Sequence, residues 1–323
     1  MRKILVSFCF CLVFYCVSAH AAAPASLDDT LRATYTACFG IDEELKPLKV
    51  KAGINTAVTA VGTAAGAGAL ATGLVKKKTD KEIEELEKKL AEIHERERNG
   101  EYATPTDDEI EAFINADFDL GTTNTASGGQ SEADQIQAEI DEKTEKSVKL
   151  GNWRTGLLAG NTATNIAGAV IAGTNKVKGD LEAQINDCIT AVGELRRAVG
   201  RAEIENDANL GEAKVILNAC AKYETVDISK INKRATGAMV SSSVGAATGV
   251  AGTISSIFAN SKKVRDDNSD AGKKKEKGLN TTANVLAGAS TLASGTATVF
   301  NATQIKAIKD VSAVAAECTG ALQ

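Results

Sequence analysis

The chain is poor in proline, aromatic residues and histidine. Its 323 residues include three prolines, one tryptophan and two histidines, and aromatic residues make up only 4% of it. A β-sandwich or barrel would need more aromatic residues and more alternating β-branched residues, so the composition favours an all-α protein built from small residues. The net charge of −5 provides no excess of basic residues, and nothing in it indicates nucleic-acid binding.

The motifs of common enzymes are also missing. His94 is the one histidine after residue 21, so the sequence offers no histidine-based catalytic triad and no histidine metal cluster. The cysteines are too far apart for a CxxC motif, and the glycines do not have the spacing of a nucleotide-binding loop. The EF-hand pattern is absent as well. We therefore expect a non-enzymatic protein with no cofactor, no metal site and no evident small-molecule substrate.

The first 21 residues have the pattern of a secretory signal peptide. A basic start precedes an apolar run over residues 4–17, and residues 19–21 read Ala-His-Ala. This arrangement predicts cleavage after Ala21 and export to the periplasm, the cell envelope or the exterior. A retained anchor helix is the alternative.

Four cysteines remain after that cleavage: Cys38, Cys188, Cys220 and Cys318. An even number of cysteines in an exported protein suggests disulfide bonds, for which three pairings are possible. Apolar residues at spacings of three, four and seven place each cysteine on the apolar stripe of an amphipathic helix. We favour Cys38–Cys188 and Cys220–Cys318, because each pair would close a helical hairpin at its base. Four buried free thiols are the alternative.

Four segments of about 20 residues or more carry no charge, and we call them the uncharged segments. They are residues 53–75, 155–175, 235–261 and 278–304. They form two pairs, each enclosed by two cysteines, which predicts an internal repeat. We expect two tandem antiparallel helical hairpins, over residues 22–200 and 201–323, after the signal peptide of residues 1–21. A charged insert at about residues 79–148 lengthens the first hairpin.

Small residues recur at regular spacing in the uncharged segments. In the second segment Gly156, Gly160, Thr164, Gly168 and Ala172 follow one another every four residues. Such a stripe lets two helix backbones approach closely. Each glycine costs about 1 kcal/mol of helix stability relative to alanine, so these helices need a packed partner, which we expect within the same hairpin. The glycines assigned to helix packing are Gly62, Gly66, Gly156, Gly160, Gly168, Gly245, Gly249, Gly288 and Gly295.

The charged insert is predicted to form a coiled-coil stalk. Thr79 and Glu82 match a capping box, which predicts that a helix begins there. Apolar residues then alternate by three and four on an otherwise charged helix, which is typical of a coiled-coil seam. The seam residues are Ile83, Leu86, Leu90 and Ile93.

The far side of the insert is predicted to return as a second helix. A short helix is expected to begin at Thr106, and a glycine-rich turn follows it. Ser131 is expected to cap the returning helix, which offers Ile136 and Ile140 as an intrachain partner for the seam. If that partner is insufficient, the seam is free for self-association or for another protein.

The uncharged segments leave two interpretations open. About 20 helical residues cross the ~30 Å hydrocarbon core of a membrane, and basic residues at both ends suit lipid headgroups, although they give no topology bias. Against a membrane, Asn161, Asn165, Asn280 and Asn284 interrupt the segments, and large apolar residues are sparse. We favour a water-soluble structural or interaction protein that acts through helix packing and its stalk. A membrane-inserting or pore-forming protein is the alternative.

Overall fold

The computed structural model describes residues 25–99, 131–265, 267 and 269–323. Within these residues the protein is all-α, as predicted, and contains no strand. The predicted signal peptide and the short helix predicted at Thr106 lie outside the described residues. The helices are α1 (Leu27–Cys38), α2 (Ile41–Arg98), α3 (Glu132–Thr174), α4 (Gly179–Glu205), α5 (Leu210–Cys220), α6 (Ser229–Ala259), α7 (Lys262–Arg265) and α8 (Asp270–Leu322). A 3₁₀ turn, Ala221–Thr225, follows α5.

The structure confirms one predicted helix start and corrects another. Ser131 begins α3 with a capping box, in which its hydroxyl accepts from the Asp134 backbone N–H (3.1 Å) and its own N–H donates to the Asp134 carboxylate (3.3 Å). The capping box predicted at Thr79 is wrong, because α2 runs without a break through that position. The Thr79 hydroxyl instead donates to the Val75 carbonyl (3.2 Å), a bond that threonine makes inside a helix.

One of the two compact units of the chain contains all four cysteines. It comprises the described part of Met1–Pro47 together with Val177–Ile228 and Ile308–Gln323, and we call it the disulfide unit. Cys38 is bonded to Cys188 and Cys220 to Cys318, with Cα–Cα distances of 4.8 Å and 4.5 Å. These are the pairings that the sequence favours. All four cysteines are fully buried, which fits their predicted place on apolar helix faces.

The core of the disulfide unit is apolar in the ordinary way. Its fully buried side chains are mostly aliphatic: Ile41, Leu45, Ile185, Val192, Leu195 and Ile308, with Tyr223 beside them. Burial raises the pKa of the Tyr223 phenol far above its usual range. This unit therefore has the distribution expected of a water-soluble helical domain, with apolar residues inside.

The second compact unit, Leu48–Lys176 with Ser229–Ala307, is a four-helix bundle built from parts of α2, α3, α6 and α8. Contacts pair Asn55 with Asn301 and Gly66 with Thr291, so residue numbers rise along α2 as they fall along α8. The α3 helix is likewise antiparallel to α2 and α6, whereas α3 and α8 run parallel across the diagonal. This is an up-down-up-down arrangement.

Both compact units take segments from both predicted hairpins. The expected tandem arrangement is therefore not confirmed. Each uncharged segment packs against a segment of the other predicted hairpin as well as against its neighbour in the same hairpin. The ends of the bundle are named by the segment residues found there: the proximal end by residues 53, 175, 235 and 304, and the stalk end by residues 75, 155, 261 and 278.

Candidate functional site

Polar side chains are buried in the centre of the bundle among alanines and a small apolar cluster that contains Leu158. The Asn161 amide donates to the Ser290 hydroxyl (2.8 Å), and the Asn165 amide donates to the Ser294 hydroxyl (2.8 Å). The Ser294 hydroxyl also lies 3.0 Å from the Asn161 side-chain oxygen, which joins the two pairs into one network. These four residues are buried. Because they bond to one another across the α3–α8 diagonal, the amide groups are satisfied without water.

The network continues toward the proximal end. The Asn55 amide of α2 donates to the Asn301 side-chain oxygen of α8 (2.9 Å), and the Gln304 amide donates to the Asn175 carbonyl (2.8 Å). All four of these residues are fully buried. We call the whole line of buried amides and hydroxyls the polar seam; it comprises Asn55, Asn161, Asn165, Asn175, Ser290, Ser294, Asn301 and Gln304.

Toward the stalk end, beyond a small apolar cluster of Ala69, Leu158 and Ala287, lies a fully buried arginine. Arg154 donates through Nε to the Ser256 hydroxyl (3.1 Å) and through its terminal nitrogens to the side-chain oxygens of Asn284 (3.2 Å) and Asn280 (2.7 Å). Its three recorded partners are neutral, so the arginine gains hydrogen bonds there without forming an ion pair.

An ionic cluster around a buried lysine lies near that arginine, and its carboxylates are partly exposed. Lys76 is almost fully buried and its Nζ lies 2.7 Å from an Asp80 carboxylate oxygen and 3.5 Å from a Glu276 oxygen. The Ser147 hydroxyl of α3 donates to the other Asp80 oxygen. Desolvation raises the pKa of Glu276, although Lys76 opposes this shift. The cluster ties α2, α3 and α8 together where the uncharged segments end.

Part of the predicted glycine set lies where helices approach closely. A Cβ at Gly168 would lie 2.9 Å from Thr59 Cγ2, and one at Gly245 would lie 2.7 Å from the Asn165 oxygen. Gly62, Gly66 and Gly249 are equally crowded, while Gly295 has ordinary contact distance to Thr63. At the crowded positions, but not at Gly295, a side chain would displace a polar-seam residue or its neighbour.

The structure does not place Gly156, Gly160 or Gly288 in a helix contact, since a Cβ there would meet nothing within 4 Å. The reason is geometric. A helix has 3.6 residues per turn, so a step of four residues drifts by about 40°, and Gly156 points about 120° away from Gly168. The buried positions of α3 instead alternate by four and three, which keeps them on one face: Arg154, Leu158, Asn161, Asn165, Gly168 and Ala172.

The outer surface of the bundle is apolar where its interior is polar. In the uncharged segments no asparagine or glutamine is exposed. Every exposed residue over 53–75 is Ala, Ile, Leu or Val, and every exposed residue over 155–173 is Gly, Ala, Ile or Val. Large examples that are at least half exposed are Ile54, Val61, Leu74, Ile166, Val170, Val244, Ile257, Phe258, Val285, Leu292 and Val299.

The exposed polar residues of the uncharged segments are serines and threonines, and most of their hydroxyls bond to their own helix. Thr236 donates to the Asn232 carbonyl (2.9 Å), Ser243 to the Met239 carbonyl (2.8 Å) and Thr296 to the Leu292 carbonyl (2.9 Å). Thr174 and Thr281 make equivalent bonds. A hydroxyl satisfied in this way does not need water.

Two helical stretches of the described residues are long and apolar enough to cross a membrane by length and composition, Leu27–Arg98 and Leu210–Ala259. Only 28% and 33% of their most apolar windows is buried, whereas the core helix of a water-soluble protein is mostly buried. The disulfides and these two stretches are compatible with an exported or membrane-associated protein. Segments 155–175 and 278–304 are less apolar on average because they carry most of the polar seam.

Trp153 marks a border on the outer surface of α3. It is 70% exposed and follows the charged turn that contains Lys149, while the residues after it are apolar on their exposed side. With Asn152, Gly156 and Leu157 it lines a shallow surface depression. Tryptophan is enriched at the level of lipid headgroups, where one side of its surroundings is apolar and the other is wet.

The stalk forms an antiparallel pair between the last part of α2 and the first part of α3. Lys143 of α3 lies 2.8 Å from Glu82 of α2, and this pair lowers the pKa of Glu82 and raises that of Lys143. Ile140 is buried and Ile136 half-buried. The predicted seam residues Ile83, Leu86, Leu90 and Ile93 are all half-buried, so one side of each remains accessible.

Among the described residues no group of three or more His, Cys, Asp and Glu side chains could hold a metal ion. The sequence analysis missed the roles of Arg154 and of the buried asparagines, although their alternating spacing of four and three was a readable signal. No family model, curated protein or solved structure matches this chain.

Proposed function

We propose that this is an exported, non-enzymatic structural and interaction protein whose bundle is embedded in a membrane. The observation that carries the proposal is the reversed polarity of the bundle: its amides and one arginine point inward, and its exposed surface is apolar apart from a few serines and threonines, most of which bond to their own helix. Water would favour the opposite distribution. In a bilayer, buried polar groups hold helices together by hydrogen bonds, and an aliphatic surface faces the lipid chains.

The length of the apolar surface supports the same proposal. Exposed charges that flank the four uncharged segments are separated by about 25 to 28 residues, for example between Lys51 and Lys77 or between Lys277 and Lys306. At 1.5 Å per residue these stretches extend roughly 38–42 Å, enough for the ~30 Å hydrocarbon core with some tilt and a margin at each surface. Of the asparagines that argue against a membrane span in the sequence, Asn161 and Asn165 are buried, and the half-buried Asn280 and Asn284 direct their side-chain oxygens to the buried Arg154.

An internal duplication is part of this proposal. The contacts around Gly66 and Gly249 are related: Gly66 meets Thr291 and Asn161, whereas Gly249 meets Thr162 and Ser290. Both Asn161 and Thr162 stand 129 positions before their counterparts, Ser290 and Thr291. Such an exchange of partners is expected when two copies of one hairpin pack about an approximate two-fold axis.

The stalk is the proposed interaction surface. Its seam residues are half-buried in a part of α2 that contacts both α3 and the start of α8, through Lys143–Glu82 and Lys273–Glu87. The accessible side is narrow and flanked by charge, which suits one further helix. The partner is a second copy of this chain or another protein. In this proposal the bundle holds the stalk at the membrane.

Two matched substitutions on α2 test the membrane proposal. Val61 lies near the middle of segment 53–75 and Val50 lies between Lys49 and Lys51, and both valines are 61% exposed. An aspartate at the middle of a membrane helix costs about 2.5–3.5 kcal/mol in insertion, and the cost falls off toward the helix ends. Val61→Asp should therefore lower the fraction of protein that resists alkaline carbonate extraction, and Val50→Asp should leave it nearly unchanged.

A water-soluble bundle predicts a different result. Both valines would then face water, and surface substitutions away from special features change stability within about ±0.5 kcal/mol. Wild type and both variants would all appear in the soluble fraction with similar thermal stability. That outcome would contradict the proposal.

A further inference from the structure

We infer that the chain crosses the membrane four times, with the stalk on the side opposite the disulfides, and that a basic collar at the stalk end binds anionic lipid headgroups. This inference rests on the proposed function. It states which side of the membrane the stalk faces. It also states which lipids bind to the charged border of the bundle.

The positions of the cysteines relative to the uncharged segments are the first observation. Cys38 precedes the first segment, Cys188 and Cys220 lie between the second and third, and Cys318 follows the fourth. After four crossings all these positions are on one side, and the stalk and the connection at residues 262–277 are on the other. Because both disulfides form, the cysteine side faces an oxidising compartment, and the stalk side faces the reducing one.

The distribution of basic residues is an independent observation that supports the same membrane topology. Within about 15 residues of the uncharged segments, seventeen lysines and arginines lie on the stalk side and eleven on the cysteine side. Membrane proteins retain the side richer in lysine and arginine in the cytoplasm. Basic residues stand at both ends of every uncharged segment, so no single segment shows a bias. The bias appears when the lysines and arginines on each side are added over all four segments.

The collar consists of exposed lysines that stand directly at the border of the apolar surface. Lys77 follows the last exposed valine of α2, and Lys262 follows the end of α6. The full set is Lys77, Lys78, Lys149, Lys262, Lys263, Lys274, Lys275 and Lys277. Lys78 and Lys149 each lie near a glutamate of their own helix, Glu82 and Glu145. Acidic residues beside the collar, including Asp267 and Asp270, do not cancel its excess of positive charge.

Lysines at this level contact the phosphate layer when the apolar surface is in the hydrocarbon. The cytoplasmic leaflet carries anionic lipids, and each basic residue near its surface strengthens binding about fivefold. The α7 part of the collar follows a contact with α3 next to Trp153 in the chain: the Asn260 amide, two residues before Lys262, donates to the Thr155 hydroxyl (3.2 Å), two residues after Trp153. The one tryptophan of the chain therefore reports on lipids at the collar.

Sidedness is tested with two single-cysteine additions to the full chain in sealed cells. Glu212→Cys adds an exposed thiol near the native disulfides, and Glu92→Cys adds one on the stalk. A membrane-impermeant maleimide should label Glu212→Cys directly and Glu92→Cys only after permeabilisation. Wild type supplies the background, because the four cysteines that remain after the predicted signal cleavage are all in disulfides.

The possible failures differ. If carbonate extracts both variants, the proposed function fails, and this inference fails with it. If both resist carbonate and the impermeant reagent labels Glu92→Cys in intact cells, the inference alone is overturned.

The collar is tested in reconstituted vesicles through quenching of Trp153 by brominated phosphatidylglycerol or brominated phosphatidylcholine at equal mole fraction. Wild type should be quenched several-fold more strongly by the anionic lipid. The triple variant Lys149→Gln/Lys262→Gln/Lys263→Gln should lose most of that preference. The control variant Lys49→Gln/Lys51→Gln/Lys306→Gln removes the same number of charges at the proximal end. It should retain the preference for the anionic lipid. Equal quenching of wild type by the two lipids, or equal loss in both variants, would overturn the collar.

Discussion

Gly160 and Gly168 provide a matched pair for the packing of the bundle. Both lie on α3, eight residues apart, in the same uncharged segment. Replacing either with alanine removes one glycine from the helix, which should favour folding by about 1 kcal/mol in each case. The environments differ: a Cβ at Gly160 meets nothing within 4 Å, while one at Gly168 lies 2.9 Å from Thr59 Cγ2 and 3.1 Å from the Ser242 hydroxyl.

The size of the difference follows from that overlap. Carbon atoms prefer separations of about 3.5–4.0 Å, so Gly168→Ala requires Thr59 and Ser242 to move. Overpacking of a well-packed interior costs about 1–3 kcal/mol. Gly160→Ala should therefore raise the free energy of unfolding by about 1 kcal/mol. In Gly168→Ala the gain in helix propensity is offset by the overlap, which leaves a change of about 0–2 kcal/mol toward lower stability.

Thermal unfolding followed by circular dichroism, under the same solvent or detergent conditions for all three proteins, measures the comparison. About 1 kcal/mol corresponds to roughly 2–4 °C for a protein of this class of size, so the two variants should differ by several degrees. Equal increases in both would show that Gly168 is not at a close contact. A larger loss in Gly160→Ala would refute the packing of α3 described above.

Three further predictions concern the stalk and the stalk end of the bundle. Because desolvation raises the pKa of Glu276, its ionised form destabilises the fold; Glu276→Gln should raise Tm at neutral pH, and the gain should shrink as the pH falls through the raised pKa. Glu82→Gln is the opposite case: the pair with Lys143 lowers the pKa of Glu82, so the substitution should lower Tm at neutral pH, and the loss should vanish as the pH falls through that lowered pKa. Equal pH profiles for both would contradict these assignments. Deleting residues 81–140 and joining the ends by a short turn should leave the helical signal of the bundle and both disulfides but weaken self-association in sedimentation; unchanged association would show that the stalk is not the interaction surface.

The all-α class and the disulfides could be read from the sequence because each depends on local pattern. Ser131 predicts the start of α3 through its own side chain, and the cysteines keep the helical phase of their apolar neighbours. Thr79 shows the limit of such a reading. The same Thr-x-x-Glu pattern begins a helix in one context and lies inside a helix in another, and only the continuity of α2 distinguishes them.

The polarity of the bundle could not be read from average composition. Asn161 and Asn165 lower the mean hydropathy of their segment whichever helix face they occupy. When that face is unknown, they therefore favour the interpretation of a water-soluble helix over a membrane span. In the bundle they lie opposite Ser290 and Ser294, 129 positions away, and leave the exposed face of α3 apolar. The partners of a polar residue, which are non-local, decide whether it favours water or a membrane. The every-fourth-residue glycine stripe failed for a related reason, since it drifts around the helix.

Trp153 tests the membrane-embedded bundle most directly, because it is the one tryptophan and it stands at the border between charge and apolar surface. The wild-type protein is reconstituted into vesicles that contain lipids brominated either near the headgroup or near the end of the acyl chain. A membrane-embedded bundle predicts strong quenching of Trp153 fluorescence by the shallow bromines and weaker quenching by the deep ones. No quenching by either lipid, with the emission maximum of a water-exposed indole, would contradict it.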